Sequence, residues 1–133
     1  ITLIASLSIL SIDYWAVETR QRSIWMPLAE SIRQEIPANA RVVSVTDSDP
    51  TLLNLARRQG WIIPSKDLTL DQLKKLKHDG ASYLTGSLSW HNTYTPTQET
   101  ESNKIRELMQ THNISFIDTN EKTYLIPIKT LLP

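Results

Sequence analysis

The sequence predicts a single α/β domain: a three-layer, Rossmann-like sandwich with a mainly parallel sheet of about five strands and an antiparallel strand at its C-terminal edge. Three observations predict it. Short β-branched or aromatic runs alternate along the chain with segments of helical period. The connections between them are short, which suits βα units whose helices cover both faces of a sheet. A chain of 133 residues, 40% hydrophobic and 21% charged, has enough apolar surface for one core but is short for two full domains.

The first twelve residues, ITLIASLSILSI, are apolar apart from small hydroxyl residues. They are too few to cross a bilayer, which takes about 20, and they lack the basic start and small-residue cleavage site of a signal peptide. Asp13, Tyr14 and Trp15 follow, then Arg20 and Arg22, the order of a hydrophobic segment leaving a membrane through an aromatic belt. Two readings stay open: the end of a transmembrane helix, or a buried element of a soluble core. Residues 1–24 are therefore set apart as a lead-in, and 25–133 as the α/β domain.

Trp25, Leu28, Ala29, Ile32 and Ile36 recur at helical spacing while Glu30, Arg33 and Gln34 face elsewhere. Pro27 either kinks this amphipathic helix or marks its first turn, and Pro37 stops it. Residues 41–46, RVVSVT, suit a buried strand that ends in the polar cluster 47–50. Asp49 is placed to cap a second helix with Pro50 in its first turn; Leu52, Leu53 and Ala56 carry that helix, and Gly60 ends it.

Residues 61–63 read as a short strand. Thr69 and Gln72 then form a capping box, Leu68 and Leu73 its hydrophobic staple, and Leu70, Leu73 and Leu76 an apolar stripe closed by Gly80. Residues 81–85 are the third strand. A polar, aromatic loop at 89–95 leads to Pro96 and a helix with Ile105, Leu108, Met109 and His112 on one face and Asn113 at its end. Residues 114–118 and 123–128 are predicted as two strands of a hairpin, because the four residues between them are too few for a crossover. Pro127 marks the last strand as an edge.

In parallel α/β sheets ligands bind beyond the carboxyl ends of strands where the strand order reverses, so the loops at 47–50 and 86–91 are the candidate site. They supply Asp47, Asp49, Ser87, Trp90 and His91. Residues 47–51, DSDPT, resemble the DxDxT motif of haloacid-dehalogenase-like phosphatases. That resemblance implies Asp47 as nucleophile, Asp49 as acid/base and Mg²⁺ between them, with Ser87 likened to the family's second motif. The same residues are also those of a helix cap, and only Asp118 stands where a later acidic motif would be needed. Trp61, Trp90, His91 and Tyr94 could form a stacking platform for a sugar ring, against the plainer roles of core and loop anchor.

Other chemistries are disfavoured. Fourteen Lys and Arg balance fourteen Asp and Glu, so the charge footprint of a nucleic-acid binder is lacking, and no nucleic-acid partner is expected. With no cysteine there is no disulfide or thiolate site, the three histidines are scattered, and three glycines cannot make a phosphate-binding loop. No metal site or cofactor is expected. Arg57 and Arg58 are read as cations complementing the end of their own helix, and residues 113–115 match a glycosylation sequon inside a predicted strand.

The order of a helix ending at Ile36 and Pro37, a strand at 42–45, the run 49–53, the Arg58, Gly60 and Trp61 helix exit, and the Gly80, Ala81 and Tyr83 strand start resembles one family. It is similar to the C-terminal soluble region of bacterial membrane glycosyltransferases related to dolichyl-phosphate-mannose protein mannosyltransferases and aminoarabinose transferases. The resemblance covers roughly residues 25–88. It implies an extracytoplasmic, periplasmic-side domain tethered by upstream transmembrane helices and packed over the membrane portion of the parent chain. The family's catalytic carboxylate and lipid-phosphate donor site lie in that membrane portion, so no catalytic residue carries over. The implied role is a non-catalytic accessory domain whose partners are the membrane portion and a glycan, lipid-linked sugar or protein acceptor. A Mg-dependent phosphatase and a free-standing ligand-binding or interaction domain are the alternatives.

Overall fold

The computed structural model describes residues 2–88 and 106–132. In chain order these form α1 (Thr2–Glu35), β1 (Arg41–Val45), α2 (Thr51–Ala56), β2 (Gly60–Ile63), a 3-10 turn (Ser65–Asp67), α3 (Leu70–His78), β3 (Ala81–Ser87), a helical stretch α4 at 106–111, β4 (Thr123–Pro127) and α5 (Ile128–Leu131). The described strands make one mixed sheet in the order β2-β1-β3-β4. β1 is parallel to both β2 and β3, and β4 is antiparallel to β3. The chain is therefore α/β with a mostly parallel sheet and an antiparallel C-terminal edge strand.

Among the described residues the strand count corrects the sequence expectation: four, not five. Residues 114–118 alternate half-buried and exposed as a strand would, with Ile114 and Phe116 packed on the core. Among the described residues their ladder contact is a single bridge from Asp118 to Thr123. Alternation reports that one side of an extended segment is covered; a strand also needs a row of main-chain partners, and this segment meets β4 only at its start.

Side chains of β1 divide the core. Val42 joins Trp25, Leu28, Ala29, Ile32, Ile36, Leu52, Leu53 and Ala56 of α1 and α2 on one face. Val43 and Val45 join Leu73 and Leu76 of α3, Met109 of α4 and Ile128 and Leu131 of α5 on the other. The amphipathic face predicted for 25–36 is the face that is buried, but its helix begins far earlier. α1 is one helix from Thr2, passing Pro27 without ending. It crosses the boundary drawn at residue 24.

Local sequence accounts for most of the turns. A Cβ at Gly60 would lie 1.7 Å from the carbonyl oxygen of Val42, so β2 begins on a glycine because β1 is too close for any side chain. The Thr69 hydroxyl accepts the Gln72 N–H at 3.1 Å, the expected cap of α3. Of the predicted stripe, Leu73 and Leu76 are buried, whereas Leu70 is exposed. Asn113, at φ 53°, ends α4, and the Ile114 N–H returns to the Met109 carbonyl at 2.8 Å.

Candidate functional site

β1 and β3 lie side by side, with Val45 opposite Gly86, and β2 and β4 lie outside them. Chain leaving β1 turns toward β2 on one side, and chain leaving β2 returns through α3 to β3 on the other. This is the strand-order reversal at which open α/β sheets bind ligands. The loop at 47–50 starts at that shared carboxyl edge, whereas Gly86 and Ser87, expected at the head of the 86–91 loop, are the last residues of β3, and residues 89–91 lie outside the described residues.

The first loop is held by its own polar groups. Thr46, buried at the strand end, donates its hydroxyl to the Asp49 carbonyl at 2.8 Å, while the Asp49 N–H donates to the Thr46 carbonyl at 2.9 Å. Because that uses the Thr46 proton, the Ser44 hydroxyl 2.9 Å away is the donor to Thr46. Asp47 takes a left-handed φ of 56°, a conformation Asp tolerates. Its Oδ1 faces the N–H and hydroxyl of Ser65, each at 3.4 Å. Ser65 was not singled out from the sequence; its signal was its place directly after the Pro64 that closes β2.

Asp49 Oδ1 accepts the Thr51 N–H at 2.9 Å, so its carboxylate does serve the start of α2. The capping position itself is one residue later than expected, at Pro50. Asp49 Oδ2 is buried and makes no hydrogen bond. The Ser87 hydroxyl donates to the Glu121 carbonyl and is spent on tying β3 to the turn before β4. The two aspartates and the serine thus share an edge, but their hydrogen bonds run to different neighbours. Among the described residues no three His, Asp or Glu side chains gather as a metal-binding group. Trp90 and His91 lie outside the described residues, as does Tyr94. Trp61 is half-buried beneath the Arg41 guanidinium, which sits 5.9 Å from its ring centroid.

Arg58 does more than the sequence indicated. α2 ends on Arg57 in a left-handed conformation, φ 52°. Its neighbour's guanidinium bridges two helix ends: Arg58 Nη1 donates to the Ala56 and Arg57 carbonyls at the end of its own helix, each at 3.2 Å, as expected, while Nη2 reaches the end of α1 and donates to the carbonyls of Ile36 at 2.9 Å, Arg33 at 3.4 Å and Ile32 at 3.5 Å. On the opposite face of the sheet an apolar hollow of about 420 Å³ lies between α3 and α4, lined chiefly by Leu68, Leu73, Leu84 and Leu108 with Glu107 at its rim.

Comparison with protein-family models, with curated proteins and with solved structures found no match.

Proposed function

We propose that this chain is the extracytoplasmic accessory domain of an integral-membrane glycosyltransferase that uses a lipid-phosphate sugar donor, without catalytic residues of its own. One observation carries the reading: α1 is a single helix of two characters. Its second half is built into the domain, with Trp25, Leu28, Ala29 and Ile32 fully buried. Its first half stands outside, with Ile4, Leu7, Ile9, Leu10, Ile12, Tyr14 and Trp15 all more than half exposed. An apolar segment continuous with the first core helix is the connection that a membrane-tethered domain needs.

No helix among the described residues is long and apolar enough to cross a membrane. The twelve apolar residues rise about 18 Å, against a hydrocarbon thickness of about 30 Å. On this reading they are the last turns of a span whose remainder lies upstream. The order β2-β1-β3 is compatible with a Rossmann-like half, and the carboxyl edge with Asp47 and Asp49 is its acceptor-facing surface. The partners are the membrane portion of the parent chain and a glycan, lipid-linked sugar or protein acceptor, on the periplasmic side.

Reading the gene upstream of Ile1 is the direct test. The expected result is a series of apolar segments of about 20 residues, with an acidic residue in the first extracytoplasmic loop. A start codon close to Ile1 with no such segment would overturn the proposal.

A further inference from the structure

We infer that the carboxyl edge of the parallel strands, with the turns at 46–50 and 64–67, is the surface of the domain that faces the lipid bilayer. The inference rests on the membrane tether proposed above and adds a direction to it.

The direction follows from how α1 is packed. Its last turn lies at the amino edge of the sheet, because Ala40 turns back onto the Pro37 carbonyl and β1 begins at Arg41. α2 confirms this independently. It starts beyond the carboxyl end of β1 and runs back until Arg58 reaches the Ile36 carbonyl. The buried part of α1, from Trp25 to Ile36, rises about 18 Å, close to the roughly 17 Å length of a five-residue strand. Trp25 therefore stands level with the carboxyl edge, in the cluster that holds Leu52 and Leu53. The axis of α1 before Trp25 projects past that edge, and Trp15 lies about 15 Å further out.

The choice of lipid follows from the shape of the exposed apolar surface. At about 100° per residue, Ile4, Leu7, Ile9, Leu10, Ile12, Tyr14 and Trp15 are spread around the whole helix, with no gap wider than roughly 100°. A protein groove covers one stripe of a helix, whereas acyl chains surround it. Tyr14 and Trp15 end the apolar run, as they do at a bilayer interface. With Trp15 at the headgroups, the 46–50 and 64–67 turns face the membrane, and the amino-edge turns at 37–40 and 79–80 face away.

The chain contains no cysteine, so single labels can be placed by Ile9→Cys, Ser48→Cys, Lys66→Cys, Asn39→Cys and Asp79→Cys, all at exposed positions. The full-length protein, with any cysteine upstream of Ile1 replaced by serine, is reconstituted into phosphatidylcholine vesicles carrying a nitroxide either on the acyl chain or on the headgroup. The acyl-chain nitroxide is expected to quench a bimane on Ile9→Cys. The headgroup nitroxide should quench Ser48→Cys and Lys66→Cys at least about twofold more than Asn39→Cys and Asp79→Cys, since the two edges are about 17 Å apart. If the Ile9→Cys label stays in water, the tether and the inference both fall. If it is quenched in lipid while Asn39→Cys and Asp79→Cys are quenched as strongly as the other pair, the direction is wrong and the tether stands.

Discussion

The Arg58 guanidinium donates to the Ile36 carbonyl at 2.9 Å, across 22 residues of chain and between two helices. The C-terminal carbonyls of a helix carry partial negative charge and lack intrahelical donors. Here a cation from the neighbouring helix meets them and fixes the end of α1 to the end of α2. Arg58→Ala is expected to lower unfolding free energy by about 2 kcal/mol. Arg58→Lys should recover only about half, because an ammonium lacks the fork that spans several carbonyls. Urea titrations of the three proteins read the difference, and a lysine variant equal to the parent would show that charge alone suffices.

Gly86 and Tyr124 are matched by space. A Cβ on Gly86 would lie 2.7 Å from the Tyr124 hydroxyl, 3.0 Å from its Cζ and 3.1 Å from the Val45 carbonyl. Gly86→Ala should therefore destabilise the fold by about 2 kcal/mol. In that background Tyr124→Phe removes the nearest clash and should return about 1 kcal/mol. A double-mutant cycle measures the coupling, and strictly additive losses would rule the contact out.

Tyr124 is also a pH-dependent contributor. Burial pushes its phenol well above the ordinary value of 10.0. Above pH 10 the unfolded chain releases this proton and the folded chain keeps it, so stability is complete below that pH and falls as pH rises. The slope approaches about 1.4 kcal/mol per pH unit. Denaturant midpoints measured between pH 9 and 11 should decline in the parent chain, and the part of that decline due to Tyr124 should vanish in Tyr124→Phe.

Asp49 uses one carboxylate oxygen, accepting from Thr51, while the other makes no hydrogen bond. Asp49→Asn keeps the acceptor and should fall within about 0.5 kcal/mol of the parent, whereas Asp49→Ala should cost about 1 kcal/mol. Thermal melts of both variants decide the matter; equal losses would mean that the negative charge, rather than the acceptor, holds the start of α2.

The elements legible in the sequence were those that carry their own stop and start signals. Thr69, Asn113, Pro127 and the β-branched run of β1 each dictate a local conformation, and each was found where its chemistry put it. The relationships that escaped were tertiary. Nothing within a few residues of Arg58 shows that its partner is 22 residues earlier, and nothing near Phe116 shows that its extended segment lacks a ladder. The carboxyl-edge location of the 47–50 loop and of Ser87 at the end of β3 was legible because alternation of βα units fixes it. The Asp49 bond to the start of α2 was legible too, but those of Asp47 and Ser87 were not, because their partners Ser65 and Glu121 lie 18 and 34 residues away on other turns.

The rim of β4 has a consequence for self-association. At its beginning the Thr123 carbonyl accepts the Ile117 N–H and its hydroxyl accepts the Asp118 N–H; at its end Pro127 has no amide proton to offer. Only about three residues between them present a strand to another chain, too few to template growth of a continuous intermolecular sheet. The half-formed hairpin thus blunts this edge of the sheet; the other edge, β2, is only four residues long and opens on Gly60.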